Sequence, residues 1–380
     1  MELKPNNPFL ISGYYSPDYF CDREVETRKI IDALYNGRNL TLFAPRRIGK
    51  TGLIHHVFYN LRNEQPDIAT FYMDIFSTRN LGDFVRLFAN TVLGRLDTTV
   101  QKAKKRIEQF VKSFAFTVDS DPLTGMPKAS INISANAGTE AMKATISEIF
   151  DYLKASGVRC YIAIDEFQQI TEYPEEGIEA LLRSYIQFSP NVNFIFAGSK
   201  QHILQEMFLS SKKPFYQSTQ QMMIGAIECD KYVEFAVSKF CRPNIELPEE
   251  LFRKIYERFD GHTWYIQNVM NRLYEYRRTA DDALVEYAVT EIIGESSFGY
   301  ESILSAYSAG CIRLLKAIAA EGCVKEILAG DFINKYDLKA ASSVEGFVKK
   351  LTDKELIYKI DQGYIVYDRF MGEWLRRQQF

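Results

Sequence analysis

The segment Leu40-Thr41-Leu42-Phe43-Ala44-Pro45-Arg46-Arg47-Ile48-Gly49-Lys50-Thr51-Gly52 constrains the fold of this chain most. Its first five residues are an apolar run too short for a helix and well suited to a buried strand. Pro45 to Gly49 breaks that run, and Lys50 to Arg62 resumes with helical apolar spacing. Strand, tight loop and helix start, in that order, point successive backbone N–H groups and a helix N-terminus at one place, which makes an anion site. The pattern fits G-x-x-x-x-G-K-[ST], with Ala44 in place of the first glycine. Gly49 lets the backbone approach closely, Lys50 neutralises β- and γ-phosphate charge, and the Thr51 hydroxyl ligates Mg²⁺. Ala44, Pro45, Arg46, Arg47, Ile48, Gly49, Lys50, Thr51 and Gly52 are the nucleotide contacts this reading expects.

The surrounding pattern is α/β. Glu24 to Tyr35 reads as an amphipathic helix with Val25, Ile30, Ile31 and Leu34 on one stripe. Further strands are expected at Ala69 to Ile75, Tyr161 to Ile164, Phe194 to Ser199 and Met222 to Ile227. Helical spacing lies between them at Leu81 to Leu96, Gln101 to Lys112, Thr139 to Ser156 and Glu176 to Phe188. Buried strands alternating with helices predict a mostly parallel sheet covered on both faces. Residues 114–134 alternate apolar and polar around a turn-rich Asp119 to Pro127, which predicts an inserted β-hairpin. The basic run Lys102 to Arg106 reads as a solvated helix face.

Tyr161-Ile162-Ala163-Ile164 ends in Asp165-Glu166. Asp165 is expected to hold the Mg²⁺ shell and Glu166 to orient or deprotonate the attacking water. Polar Ser199 and Lys200 follow Phe194–Ala197; by resemblance to AAA+ proteins, in which this strand presents a polar residue to the γ-phosphate, Ser199 is a candidate contact there.

From Lys231 the chain turns helical, with Gly294 to Gly299 the expected linker. The remainder suggests three helices and a two-stranded wing, Leu356–Ile360 and Tyr364–Tyr367, the winged helix-turn-helix pattern. Ser342 with Glu345 is expected to cap the third helix. The expected domains are residues 1–230, 231–298 and 299–380.

Phe20-Cys21-Asp22-Arg23-Glu24, Pro45 to Thr51, Ala163 to Gln168, Phe196-Ala197-Gly198-Ser199 and Pro214-Phe215-Tyr216 together resemble the archaeal ATPase family of P-loop proteins, within the STAND branch of AAA+ ATPases. The resemblance implies a P-loop core, a helical lid and a C-terminal winged helix. It implies that Arg23 lies by the nucleotide. Gly261 to Gln267 is similar to the family's lid motif, with Thr263 where a proline is usual, and His262 in it is a further candidate nucleotide contact. The same domain order occurs in archaeal replication initiators. Two functions follow: an ATP-hydrolysing switch, and a nucleotide-gated DNA-binding protein.

Charge favours the first. Net charge is −3, and Cys311 to Phe380 holds 12 basic against 10 acidic residues, so no one-sided field addresses DNA. No apolar run approaches the ~20 residues a membrane helix needs. The N-terminus lacks a signal-peptide stretch, and six dispersed cysteines suit neither a disulfide framework nor a zinc ribbon. The expectation is a cytoplasmic protein that binds ATP with Mg²⁺ and acts on a protein partner. DNA and a second copy of the chain are the less favoured partners.

Overall fold

The computed structural model describes residues 4–122, 124–131, 138–243, 245–360 and 362–378. The chain forms two compact units. One spans Ser12–Ile227, and the other joins the segment up to Ile11 to Glu228–Phe380.

The first unit runs α1 (Glu24–Tyr35), β1 (Leu40–Phe43), α2 (Lys50–Glu64), β2 (Ile68–Asp74), α3 (Leu81–Val92), α4 (Val100–Phe110), β3 (Phe116–Ser120), β4 (Pro127–Ile131), α5 (Thr139–Ala155), β5 (Arg159–Asp165), α6 (Ile178–Ile186), β6 (Val192–Gly198), α7 (Gln201–Leu209) and β7 (Gln220–Met223). Among the described residues, five strands pair in the order β2-β5-β6-β1-β7, and every pairing is parallel. A parallel sheet is buried on both faces, and β1 and β6 are buried at every position.

The period-two pleat sorts these side chains into two cores. Leu40, Leu42, Tyr161, Ala163, Ile195 and Ala197 pack with α1 and α2. Phe43, Ile162, Ile164, Phe194 and Phe196 pack with α3, α5, α6 and α7. On α1 the buried residues are Thr27, Ile30, Ala33 and Leu34, while Val25, expected on that stripe, is 60% exposed. The expected hairpin is present as antiparallel β3–β4; residues 132–134 of its expected range lie outside the described residues. On α4, Ala103 and Ile107 are buried and Lys102, Lys104 and Lys105 are exposed.

The second unit contains α8 (Cys229–Phe240), α9 (Glu249–Arg258), α10 (Thr263–Glu275), α11 (Asp282–Ser305), α12 (Ala309–Glu321), α13 (Gly330–Lys335), α14 (Ala341–Asp353), β8 (Ile357–Ile360), β9 (Gly363–Val366) and α15 (Arg369–Arg377). Here the structure corrects three expectations. Gly294 to Gly299 is no linker, because α11 runs through it without a break. Each helical glycine costs about 1 kcal/mol relative to alanine. Burial of Ile292, Ile293, Tyr300 and Leu304, together with the Asp281 cap on Leu284 N, outweighs that cost.

Ser342 does not cap α14. The helix starts one residue earlier, at Ala341, with Ala340 before it. The N-terminus also belongs to this unit rather than to the first. Phe9 packs against Phe235, Phe240 and Tyr274, and Asn7 and Asn271 each donate a side-chain hydrogen bond to the opposite segment's backbone.

Helix α15, absent from the sequence reading, is capped by the Asp368 carboxylate on Phe370 N and Met371 N. It packs Phe370 against Phe259, Trp264 and Tyr265, and Trp374 against Tyr300. Arg258 of α9 pairs with Glu373 at 3.1 Å and Arg369 with Asp260 at 2.7 Å, so the wing is fastened to the helices that precede it. Among the described residues no helix is long and apolar enough to cross a membrane.

Candidate active site

The site lies in the first unit, where β1, β5 and β6 deliver their last residues to the same edge of the sheet. After β1 the backbone turns through positive φ at Arg47 and Gly49 before α2 begins at Lys50. Ala44 is not among the positive-φ residues and its methyl is fully buried in the core, so glycine is not needed there. Ile48 is likewise buried and anchors the loop from below. Pro45 is half-buried and Thr51 is exposed. A side chain at Gly52 would meet the Phe20 ring at 3.3 Å, which explains a glycine in the first turn of α2.

Lys50 reaches across to the end of β5. Its Nζ lies 2.5 Å from Asp165 Oδ1 and 3.5 Å from Glu166 Oε1. Asp165 Oδ2 accepts from Thr51 Oγ1 at 2.7 Å and from Tyr72 Oη at 3.1 Å, and Asp165 Oδ1 accepts from Glu166 N. Burial alone pushes the Asp165 carboxyl up, but the Lys50 charge and the hydrogen bonds from Lys50, Thr51 and Glu166 N outweigh it and hold the group below its usual range.

Glu166, the residue after β5, sits in the left-handed region, φ 55°. Its Oε2 accepts from Ser199 Oγ at 2.7 Å, and Ser199 Oγ in turn accepts from Arg46 Nε at 3.1 Å. Lys50, Thr51, Asp165, Glu166, Ser199 and Arg46 therefore form one connected cluster.

Arg23 is buried, and its guanidinium donates to the carbonyls of Ile48 (3.3 Å) and Gly225 (2.7 Å) and pairs with Glu26. It braces the loop from behind. His262 belongs to the other unit, at the N-terminus of α10, and is not among the side chains the first unit gathers here.

Three residues at the site escaped the sequence reading. Tyr72 holds Asp165. Asp74 ends β2 in register with Asp165; burial pushes its carboxyl up, and the neighbouring Asp165 and Glu166 charges add to that. Gln168 donates from Nε2 to Glu166 Oε2 at 2.6 Å. The signal for the first two was available, since Phe71-Tyr72-Met73-Asp74 is another apolar strand ending in an acid.

A parallel sheet in this order, with a lysine-bearing loop after one strand and paired acids after another, defines a P-loop ATPase core followed by a winged helix. The chain belongs to the family described as "ATPase domain predominantly from Archaea", which it matches over residues 20–269; residues 298–377 match a probable winged helix domain. No curated protein sequence matches it significantly. Among solved structures it is similar to a Walker-type ATPase of Pyrococcus abyssi (TM-score 0.65, 19% identity, 97% of this chain and 99% of that one). It is also similar to the ORC2 protein of Aeropyrum pernix in ADPNP–ADP complexes (0.60, 16%, 98% and 96%) and to ORC1 of the same organism in complex with DNA (0.54, 13%, 98% and 96%).

Proposed function

We propose that this chain binds ATP together with Mg²⁺ at the loop 44–52 and hydrolyses it, and that the nucleotide state acts as a switch. The observation that carries the reading is the convergence of Lys50, Thr51, Asp165, Glu166 and Ser199 from three strand ends into one cluster. The donor set fits the ion: Mg²⁺ takes oxygen ligands, keeps several waters, and is held by one or two carboxylates plus substrate phosphates. Thr51 and Asp165 would supply the protein's oxygens, with Asp74 in reach of the same region. Among the described residues no cluster of three or more His, Cys, Asp or Glu would hold a metal alone, which suits an ion that arrives with its nucleotide. Bound there, the ion would neutralise developing phosphate charge.

The chain's own residues carry the rest. Lys50 exchanges its carboxylate partners for the β- and γ-phosphates. Arg46 and Ser199, already joined, border the γ-phosphate. Glu166 takes the proton of the attacking water as the water oxygen bonds to the γ-phosphorus and the bond to the ADP leaving oxygen breaks. Arg23 supports the loop through the Ile48 carbonyl. The ion pairs and rings that fasten α15 to α9, α10 and α11 support a lid and wing that respond to nucleotide as one body, with a protein as the recipient of the signal.

Calorimetry and a phosphate-release assay test this. Lys50→Ala is expected to lose at least about tenfold in ATP affinity, because the phosphates lose their main cation. Glu166→Gln is expected to bind ATP normally and turn over about 10²-fold more slowly. Wild-type binding by the first variant or wild-type turnover by the second would refute the corresponding role.

A further inference from the structure

Gln168 is buried, two residues beyond Glu166 in the 3-10 turn Phe167–Glu172. Its amide nitrogen donates to Glu166 Oε2 at 2.6 Å, the oxygen that also receives Ser199 Oγ at 2.7 Å and Ser199 N at 3.4 Å. Its amide oxygen is buried and has no hydrogen-bond partner among the described residues. Exchanging the amide's two ends would set an acceptor against the carboxylate, so the nitrogen must face Glu166. A buried carbonyl without a partner costs stability.

Gly198, the last residue of β6, accommodates this arrangement. A Cβ at 198 would lie 3.1 Å from Gln168 Cδ and closer still to its Oε1, so a methyl there displaces the amide. Gly198 has no positive φ, so its lack of a side chain serves space and not backbone conformation. The result is a carboxylate with one oxygen fully engaged and the other, Oε1, facing Lys50 Nζ at 3.5 Å.

We propose that Gln168 is a positioning residue for hydrolysis: its amide fixes Glu166 Oε2 so that Oε1 alone is presented to the phosphate side of the site. When Lys50 turns to the phosphates, Oε1 is the oxygen left to accept from water. Gly198 is the glycine that admits this amide. The inference rests on the reading of Glu166 as the hydrolytic carboxylate.

The test uses the full-length chain. Gln168→Met keeps the length and removes the donor. It is expected to lower kcat about tenfold, the effect of one misplaced contact in the transition state, with calorimetric ATP affinity within about twofold of wild type. Gly198→Ala leaves both Glu166 and Gln168 in the sequence and is expected to lower kcat equally, by displacing the amide. In a Gln168→Ala background, which has room for the methyl, adding Gly198→Ala is expected to cost nothing more. The same cycle read by urea midpoints of the nucleotide-free proteins should show Gly198→Ala destabilising the parent and sparing the Gln168→Ala background.

Additive effects in either cycle overturn the proposal. So does a Gln168→Met protein that loses affinity as much as turnover, the mark of a merely structural role. Unchanged kcat in Gln168→Met, with Glu166→Gln still inactive, overturns the proposal and leaves the hydrolytic reading standing. Wild-type turnover in Glu166→Gln overturns both.

Discussion

Replacing Lys50 by methionine is expected to destabilise the nucleotide-free protein strongly at neutral pH and weakly in mild acid. The reason is the buried pair it forms with Asp165: the two side chains are 9% and 3% exposed and 2.5 Å apart. Removing the cation strands a buried carboxylate, which costs about 3–5 kcal/mol when one partner of such a pair is lost. Thr51, Tyr72 and the Glu166 amide remain on Asp165 and keep the loss inside that range.

The carboxyl has an escape, since it can take up a proton. With an unfolded value near 3.9 and about 1.36 kcal/mol per pH unit, that escape caps the loss at about 5 kcal/mol near pH 7.5 and about 1.5 kcal/mol near pH 5. The wild type has the opposite sign. Its Asp165 carboxyl is held below the usual range, so its stabilisation is complete above about pH 4 and is lost only as pH falls through that depressed value. Native-state hydrogen exchange on peptides from α2 and β5, near pH 7.5 and near pH 5, reads the difference directly. Lys50→Met/Asp165→Asn should recover most of the neutral-pH loss. An equal loss at both pH values, or one that grows in acid, would refute the buried-pair reasoning.

Two further outcomes are expected. In the second unit, burial pushes the Glu373 carboxyl up, but Arg258 and the neighbouring Arg376 and Arg377 hold it below its usual range. Arg258→Met should therefore cost about 3 kcal/mol at neutral pH and less in mild acid, read by the fluorescence of Trp264 and Trp374, and equal losses at both pH values would count against the pair. Duplex-DNA binding by the wing, followed by anisotropy, should be weak at physiological salt and insensitive to Lys349→Glu/Lys350→Glu. Sub-micromolar binding that the charge reversals abolish would instead make α14 a DNA reader.

The core was legible because its signals are local. A parallel strand buried on both faces must be a short apolar run, and Leu40–Phe43, Tyr161–Ile164 and Phe194–Ala197 are such runs with the proposed site residues following their ends. Tyr72 and Asp74 were missed although β2 was expected, because their role depends on β2 lying beside β5 in the sheet. That neighbourhood is a matter of strand order, and it becomes visible only once Asp74 is seen in register with Asp165. Gln168 was harder still, since the glycine that makes room for it, Gly198, ends a distant strand, β6, and its burial leaves no mark in the sequence.

The second unit shows the same limit from the other side. Gly294 and Gly299 carried a real local signal for a break, and packing of Ile292, Ile293, Tyr300 and Leu304 overrode it. The aromatics after the wing, Phe370 and Trp374, lie on α15 and both have partners. Phe370 sits among Phe259, Trp264 and Tyr265, and Trp374 lies against Tyr300 of α11. Displacing α15 would uncover those rings and separate Arg258 from Glu373. These contacts hold α15 to α9, α10 and α11 within one compact unit, whose main segment begins at Glu228.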